Sequence, residues 1–214
     1  MICKMKKIFG LLAVTLLTLS SCKSYEVSYA VSLESVESPA NIKQQFGDTK
    51  IVTLEDAGIS KYRYTDNYIE ITWFVDRKEF AFTLKNKSNH AIRINWDDIS
   101  YVDISGNVGR VMHSGVKYTD RNNSQPATSI PKGASLSDIL LPTDNVFFIS
   151  PTRYSTGGWR EKSLLPSFFE KETIDSLPQK YVGQKMSIMM PIFIENVQND
   201  YTFVFNVDKV LGRK

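Results

Sequence analysis

Apolar and polar positions alternate along most of this chain, most cleanly toward its N-terminal end. Tyr25, Val27, Tyr29, Val31 and Leu33 interleave with Glu26, Ser28, Ala30, Ser32 and Glu34. A period of two puts each set on one face of an extended segment, which predicts a strand from residue 25 onward. Residues 34–50 are polar, contain Pro39 and Gly47, and read as a connection. Ile69, Ile71, Trp73 and Val75 then share a face, as do Phe80, Phe82 and Leu84, and again Ile92, Ile94 and Trp96. Shorter β runs are predicted at 100–103, 108–112, 135–141 and 146–150. The C-terminal pattern predicts a long hairpin. Met186, Ile188, Met190, Ile192 and Ile194 line one strand, a polar turn covers 196–200, and Tyr201, Phe203, Phe205 and Val207 line the next. Pro191 has no amide hydrogen for a ladder, which places it at an edge or a bulge. Trp73 and Trp96 fall on strand faces and are expected in the core.

Turn chemistry separates these runs: Asn86-Lys87-Ser88-Asn89 between two strands and Ser105-Gly106-Asn107 between two more. Many short strands with little helical periodicity predict an all-β fold, a β-sandwich in one domain over residues 25–214. Phe82-x-Leu84-x-Asn86-x-Ser88 followed by Ile92 and Ile94 resembles the strand–turn–strand of bacterial immunoglobulin-like modules. That resemblance implies an immunoglobulin-like β-sandwich and transfers no function. Residues 151–183 interrupt the strands and read as one long insertion. Within it, Ser167-Phe168-Phe169-Glu170 fits a capping box, predicting a short helix that ends before Pro178.

The first residues have a different pattern. Lys6 and Lys7 precede an uncharged, mostly apolar stretch at 8–19. Its roughly twelve residues are too few to span a bilayer and match a signal peptide. Met5 is a second candidate start. Leu19-Ser20-Ser21-Cys22 resembles the lipobox of bacterial lipoproteins. The resemblance implies removal of residues 1–21, a diacylglyceryl thioether on Cys22 and acylation of its new amino group. An ordinary signal peptide with an incidental cysteine is the alternative. Lys23, rather than Asp, after the cysteine implies the outer membrane, with the leaflet open; the chain's style resembles Bacteroidetes lipoproteins. Only Lys23 and Ser24 separate Cys22 from the first predicted strand, a reach of roughly 7 Å.

Cleavage changes the charge. The chain has 26 Lys and Arg against 23 Asp and Glu. Losing Lys4, Lys6 and Lys7 leaves equal numbers, which removes the basic character that would have pointed to nucleic acid. The only cysteines are Cys3 and Cys22. The mature chain is therefore expected to hold no disulfide and to rely on its core.

Candidate chemistry is sparse. Asp97, Asp98, Asp103, Ser105 and Asn107 supply hard oxygens of the kind Ca²⁺ takes, without an EF-hand spacing; residues 103–107 also read as a β-turn. Ser129-Ile130-Pro131-Lys132 matches the S-x-x-K string, but Pro131 puts it in a loop. His90 and His113 lack zinc-ligand or triad spacing and read as surface or turn residues. Glu170, Glu172 and Asp175 offer carboxylates for glycoside hydrolysis or, equally, a solvated helix face. Met186, Met189 and Met190 read as packing. The richest cluster is Tyr154, Gly157, Gly158, Trp159 and Arg160. Glycines beside an aromatic and a guanidinium suit a ligand or partner surface, while Trp159 can instead fold back and pin a long loop.

Three functions fit. The first is a non-enzymatic envelope lipoprotein that holds to the membrane through Cys22 and binds a protein partner or supports an assembly, with no cofactor or metal. The second is a glycan-binding accessory protein with Trp159 and Tyr154 as its platform. The third is a hydrolase with a site in 151–183.

Overall fold

A computed structural model describes residues 26–37, 47–167 and 176–213. Their elements are β1 (Glu26–Glu37), β2 (Lys50–Asp56), β3 (Ile59–Thr65), β4 (Ile69–Val75), β5 (Phe80–Asn86), β6 (Ile92–Ile94), β7 (Ser100–Val102), β8 (Val108–His113), β9 (Thr128–Ile130), β10 (Ser135–Pro142), β11 (Val146–Ile149), β12 (Gly158–Glu161), β13 (Lys185–Ile194) and β14 (Val197–Arg213). Among the described residues no helix reaches seven residues, so the fold is all-β. Ten strands run in the order β1-β14-β13-β7-β8-β10-β5-β4-β3-β2, with β6 and β9 branching from β13. All strand pairs are antiparallel, and this large sheet is nearly closed into a barrel. Strands β11 and β12 form a separate two-stranded sheet.

The interior is aromatic. Trp73 lies 5.2 Å from Phe82, its neighbour across β4 and β5, and meets Phe203 and Phe205 of β14 at ring separations of 5.0 and 5.5 Å. Phe80 touches Phe205 and Tyr101. Such pairs add about 0.5–1.5 kcal/mol each beyond the area they bury. In β1, register shifts at Ala30/Val31 and Leu33/Ser35 re-aim the strand. Val27 and Leu33 are buried, and Val36 packs against the same core.

Two poles follow from the ladder. At one, the β3–β4, β5–β6 and β13–β14 turns converge; the Lys87 amide donates to the Tyr68 carbonyl, and His90 lies 3.3 Å from Glu195. The opposite pole carries the first residues of β1, the β4–β5 and β7–β8 turns and the β10–β11 connection. There the Tyr29 hydroxyl donates to the Pro166 carbonyl at 3.0 Å, and the Leu164 amide to Arg77.

Several expectations need correction. The hairpin β2–β3 falls where no strand was predicted. It turns through Ala57 and Gly58, both at positive φ. The C-terminal turn is tighter than expected: Glu195 and Asn196 close it at φ 51° and 64°, so β14 starts at Val197. Pro191 sits in an inner strand. It falls between the stretch of β13 that pairs with β7 and the stretch that pairs with β6, where no ladder bond is needed on that side. Trp96 is buried in a 3₁₀ turn, Trp96–Asp98, rather than on a strand. Residues 151–183 are not strand-free, because β12 lies inside them. Most of the expected helix falls outside the described residues, and a 3₁₀ turn, Leu177–Tyr181, follows it.

Candidate functional site: the β11–β12 hairpin

Val146–Ile149 and Gly158–Glu161 pair as a short hairpin whose base is clamped to the barrel. At the base, Glu161 takes Lys78 of the β4–β5 turn at 2.9 Å and the Tyr118 hydroxyl on its other oxygen. The Lys162 amide donates to Asn145 at 2.8 Å. The Tyr118 bond, reinforced by Lys78, holds the Glu161 carboxyl below the usual range. The same bond pushes the Tyr118 hydroxyl up to about 12. Glu79, next to Lys78, moves the other way, raised by burial and then by the charges of Asp76 and Glu161.

Cross-strand register sorts the hairpin into two faces. Val146, Phe148, Trp159 and Glu161 share one face, which meets the body at Val146 and Trp159 and leaves Phe148 exposed. Val146 is buried with Met112 and Leu141. Trp159 is half-buried, edge-on to Tyr118 and Phe148, with the Arg121 guanidinium 5.1 Å from its ring centre. Phe147, Ile149 and Arg160 point outward, and Lys162 Nζ lies 5.8 Å from the Phe147 ring centre. Phe147, Phe148 and Ile149 are three consecutive apolar residues, all exposed. Both faces of β11 stay open beyond its base, since no further layer covers them among the described residues.

The far end is shaped by glycine. Gly157 has φ 67°, and a Cβ there would lie 2.5 Å from the Ile149 carbonyl oxygen. Only glycine closes that loop. The Gly157-Gly158 pair is therefore required by a tight backbone, where the sequence suggested an adaptable surface. Tyr154 stands at the tip, 91% exposed, with Arg153 5.9 Å from its ring centre. Arg160 donates to the Trp159 and Gly157 carbonyls, and its side chain remains in solvent. Tyr154, Trp159 and Arg160 thus share one hairpin, but the two rings have different settings: one free at the tip, the other packed at the side.

A cleft of about 590 Å³ lies below the hairpin, bordered by Arg77, Asp103, Asp144, Glu161 and Ser163. Glu161 borders it, whereas Glu79 does not. Asp103 is occupied as a turn residue, accepting the Ser105 and Asn107 amides at 2.8 and 2.9 Å. Asp97 binds Arg110 and Ser124, and Asp98 takes Asn95. Among the described residues no three His, Cys, Asp or Glu are placed to hold a metal ion. Ser129 lies in β9, and Lys132 donates to Asn89. Met186 and Met190 are buried core residues. Cys22, Glu170, Glu172 and Asp175 lie outside the described residues.

Sequence reasoning missed the clamp, since Tyr118 and Lys78 lie 43 and 83 residues before Glu161 and carry no spacing signal. It also missed a second constellation. His113, only 17% exposed, bonds Asp138 at 3.1 Å and stacks on Trp96 at 4.0 Å, so it is not a free turn residue. His90, by contrast, is exposed in its turn. A scan against protein-family models and searches of curated proteins and of solved structures find no match to this chain.

Proposed function

We propose that this protein is a non-enzymatic lipoprotein of the bacterial outer membrane, anchored through Cys22, whose barrel presents the β11–β12 hairpin as a contact surface. The observation that carries the reading is the open run Phe147-Phe148-Ile149 with Tyr154 at the tip. Consecutive apolar residues exposed on both faces of a strand are costly in water unless something covers them in use. The lipobox and the strand that starts four residues after Cys22 support anchorage close to the bilayer. An immunoglobulin-like sandwich is the finer fold reading, supported by Trp73 packing across the core onto Phe203 and Phe205. The glycan platform draws less support, because Arg121 and two aromatic rings already engage Trp159. A hydrolase draws less too: Glu79 and Glu161 are shifted in opposite senses but do not border one cleft.

A photoreactive phenylalanine in place of Tyr154, incorporated in intact cells, tests the contact. The expected result is a covalent adduct, to lipid or protein, that the same probe at Gln198 on the opposite pole does not give. Equal labelling from both positions, or none, would refute the contact surface.

A further inference from the structure

The hairpin's base and the start of β1 occupy the same pole. Val27, Ser28 and Tyr29 share a cavity of about 180 Å³ with Arg77, Ser163 and Leu164, and the last two follow β12 within three residues. Cys22 precedes Glu26 by four residues, a reach of about 14 Å when extended. A lipid on Cys22 therefore holds this pole within about that distance of the bilayer surface, and the hairpin's base with it.

The hairpin's chemistry suits that neighbour. From 146 to 162 it carries Arg153, Arg160 and Lys162 against Glu161 alone, and Lys78 and Tyr118 already satisfy Glu161. Each basic group stands by an apolar or aromatic residue: Arg153 by Tyr154, Lys162 by Phe147, and Arg160 across from Phe147. Aromatic rings at headgroup depth with cations reaching lipid phosphates are the arrangement an interfacial segment needs. Tyr154 joins an apolar ring to a polar hydroxyl, which suits that boundary.

Resting on the anchored-lipoprotein reading above, we infer that the β11–β12 hairpin docks into the headgroup layer of the anionic bilayer that holds the Cys22 lipid. It is a second, reversible foot. Lipid and hairpin together fix the barrel's orientation, with the β3–β4, β5–β6 and β13–β14 turns facing away from the membrane.

The test uses the full lipidated chain reconstituted into vesicles of phosphatidylethanolamine and phosphatidylglycerol. A mature chain whose only cysteine is acylated accepts a single new label, so a Thr156→Cys variant carries an environment-sensitive fluorophore at the exposed tip. Gln198→Cys serves as the opposite-pole control. The expected result is a blue shift and quenching by spin-labelled lipid at 156, neither of them at 198. Arg153→Gln in the labelled chain should lower the docked-to-undocked ratio about fivefold. Phosphatidylcholine vesicles should weaken docking in the same direction. A 156 probe that stays in water on anionic vesicles overturns the inference. If position 154 then still crosslinks one protein in native membranes, the contact reading survives with a protein occupant. If it crosslinks nothing, both readings fall.

Discussion

Asp66 shows how much one buried side chain can hold. It is 2% exposed at the β3–β4 turn and accepts four hydrogen bonds: the Tyr68 and Ile69 amides at 2.7 and 2.8 Å, and the Tyr64 and Tyr201 hydroxyls at 3.1 and 2.9 Å. Burial first, and the Asp66 charge second, push both hydroxyls far up, so both remain donors. Asp66→Ala removes the shared acceptor of all four bonds and should cost about 3–5 kcal/mol in urea unfolding. Tyr201→Phe removes one donor and should cost about 1.5–3 kcal/mol. A cost below that of an ordinary surface substitution for Asp66→Ala would mean the network contributes nothing. None of this was legible in the pattern: Asp66 falls before a predicted strand, and Tyr201 is 135 residues away. Asn86 was legible as a turn residue only. Its amide also reaches the Ile130 carbonyl at 2.9 Å, which stitches the β5–β6 turn to β9. Short-range chemistry announces a turn; its distant partners have no signature.

Strands whose two faces differ were the easiest elements to read. β4, β5, β13 and β14 alternate cleanly because one face meets the aromatic core. The hairpin β2–β3 was missed for the converse reason. All of β2 is exposed or only half-buried, and its turn places Ala57, not Asn, at positive φ. For β11–β12, the residues Tyr154, Trp159 and Arg160 stood out by composition, while the clamp beneath them did not. Two predictions belong to this element. Gly157→Ala puts a methyl into the Ile149 carbonyl, so the loop should open more readily by about 1–3 kcal/mol, read by hydrogen exchange over 146–162. Unchanged protection there would contradict the steric account. The second concerns pH. Glu161 is held below its ordinary 4.5, so the folded state favours its carboxylate. Its stabilisation is full above 4.5 and is lost as acid protonates it in the fold. Trp159, beside the clamp, should then change its fluorescence in that acid range. Tyr118→Phe, lacking the main bond, should move the transition to higher pH, and a Tyr118→Phe profile identical to the parent's would count against the clamp.

At the scale of the whole molecule, the fold spends its N-terminal strand on the long partner β14, from Glu26↔Arg213 to Glu37↔Thr202. That pairing ties the start of β1 firmly to the barrel, and on the proposed anchorage only four positions separate Cys22 from Glu26. Cys22→Ser should therefore release the protein from the membrane fraction with its unfolding midpoint unchanged, because nothing in the core depends on the anchor. The hairpin's few cations alone should not retain it at physiological ionic strength. The barrel's orientation depends on that anchor, which the intact mass of the N-terminal peptide from the purified membrane form tests. The expected peptide begins at Cys22 and carries a diacylglyceryl group with an added acyl chain; an unmodified Cys22, or a mature end at any other residue, would contradict the anchorage.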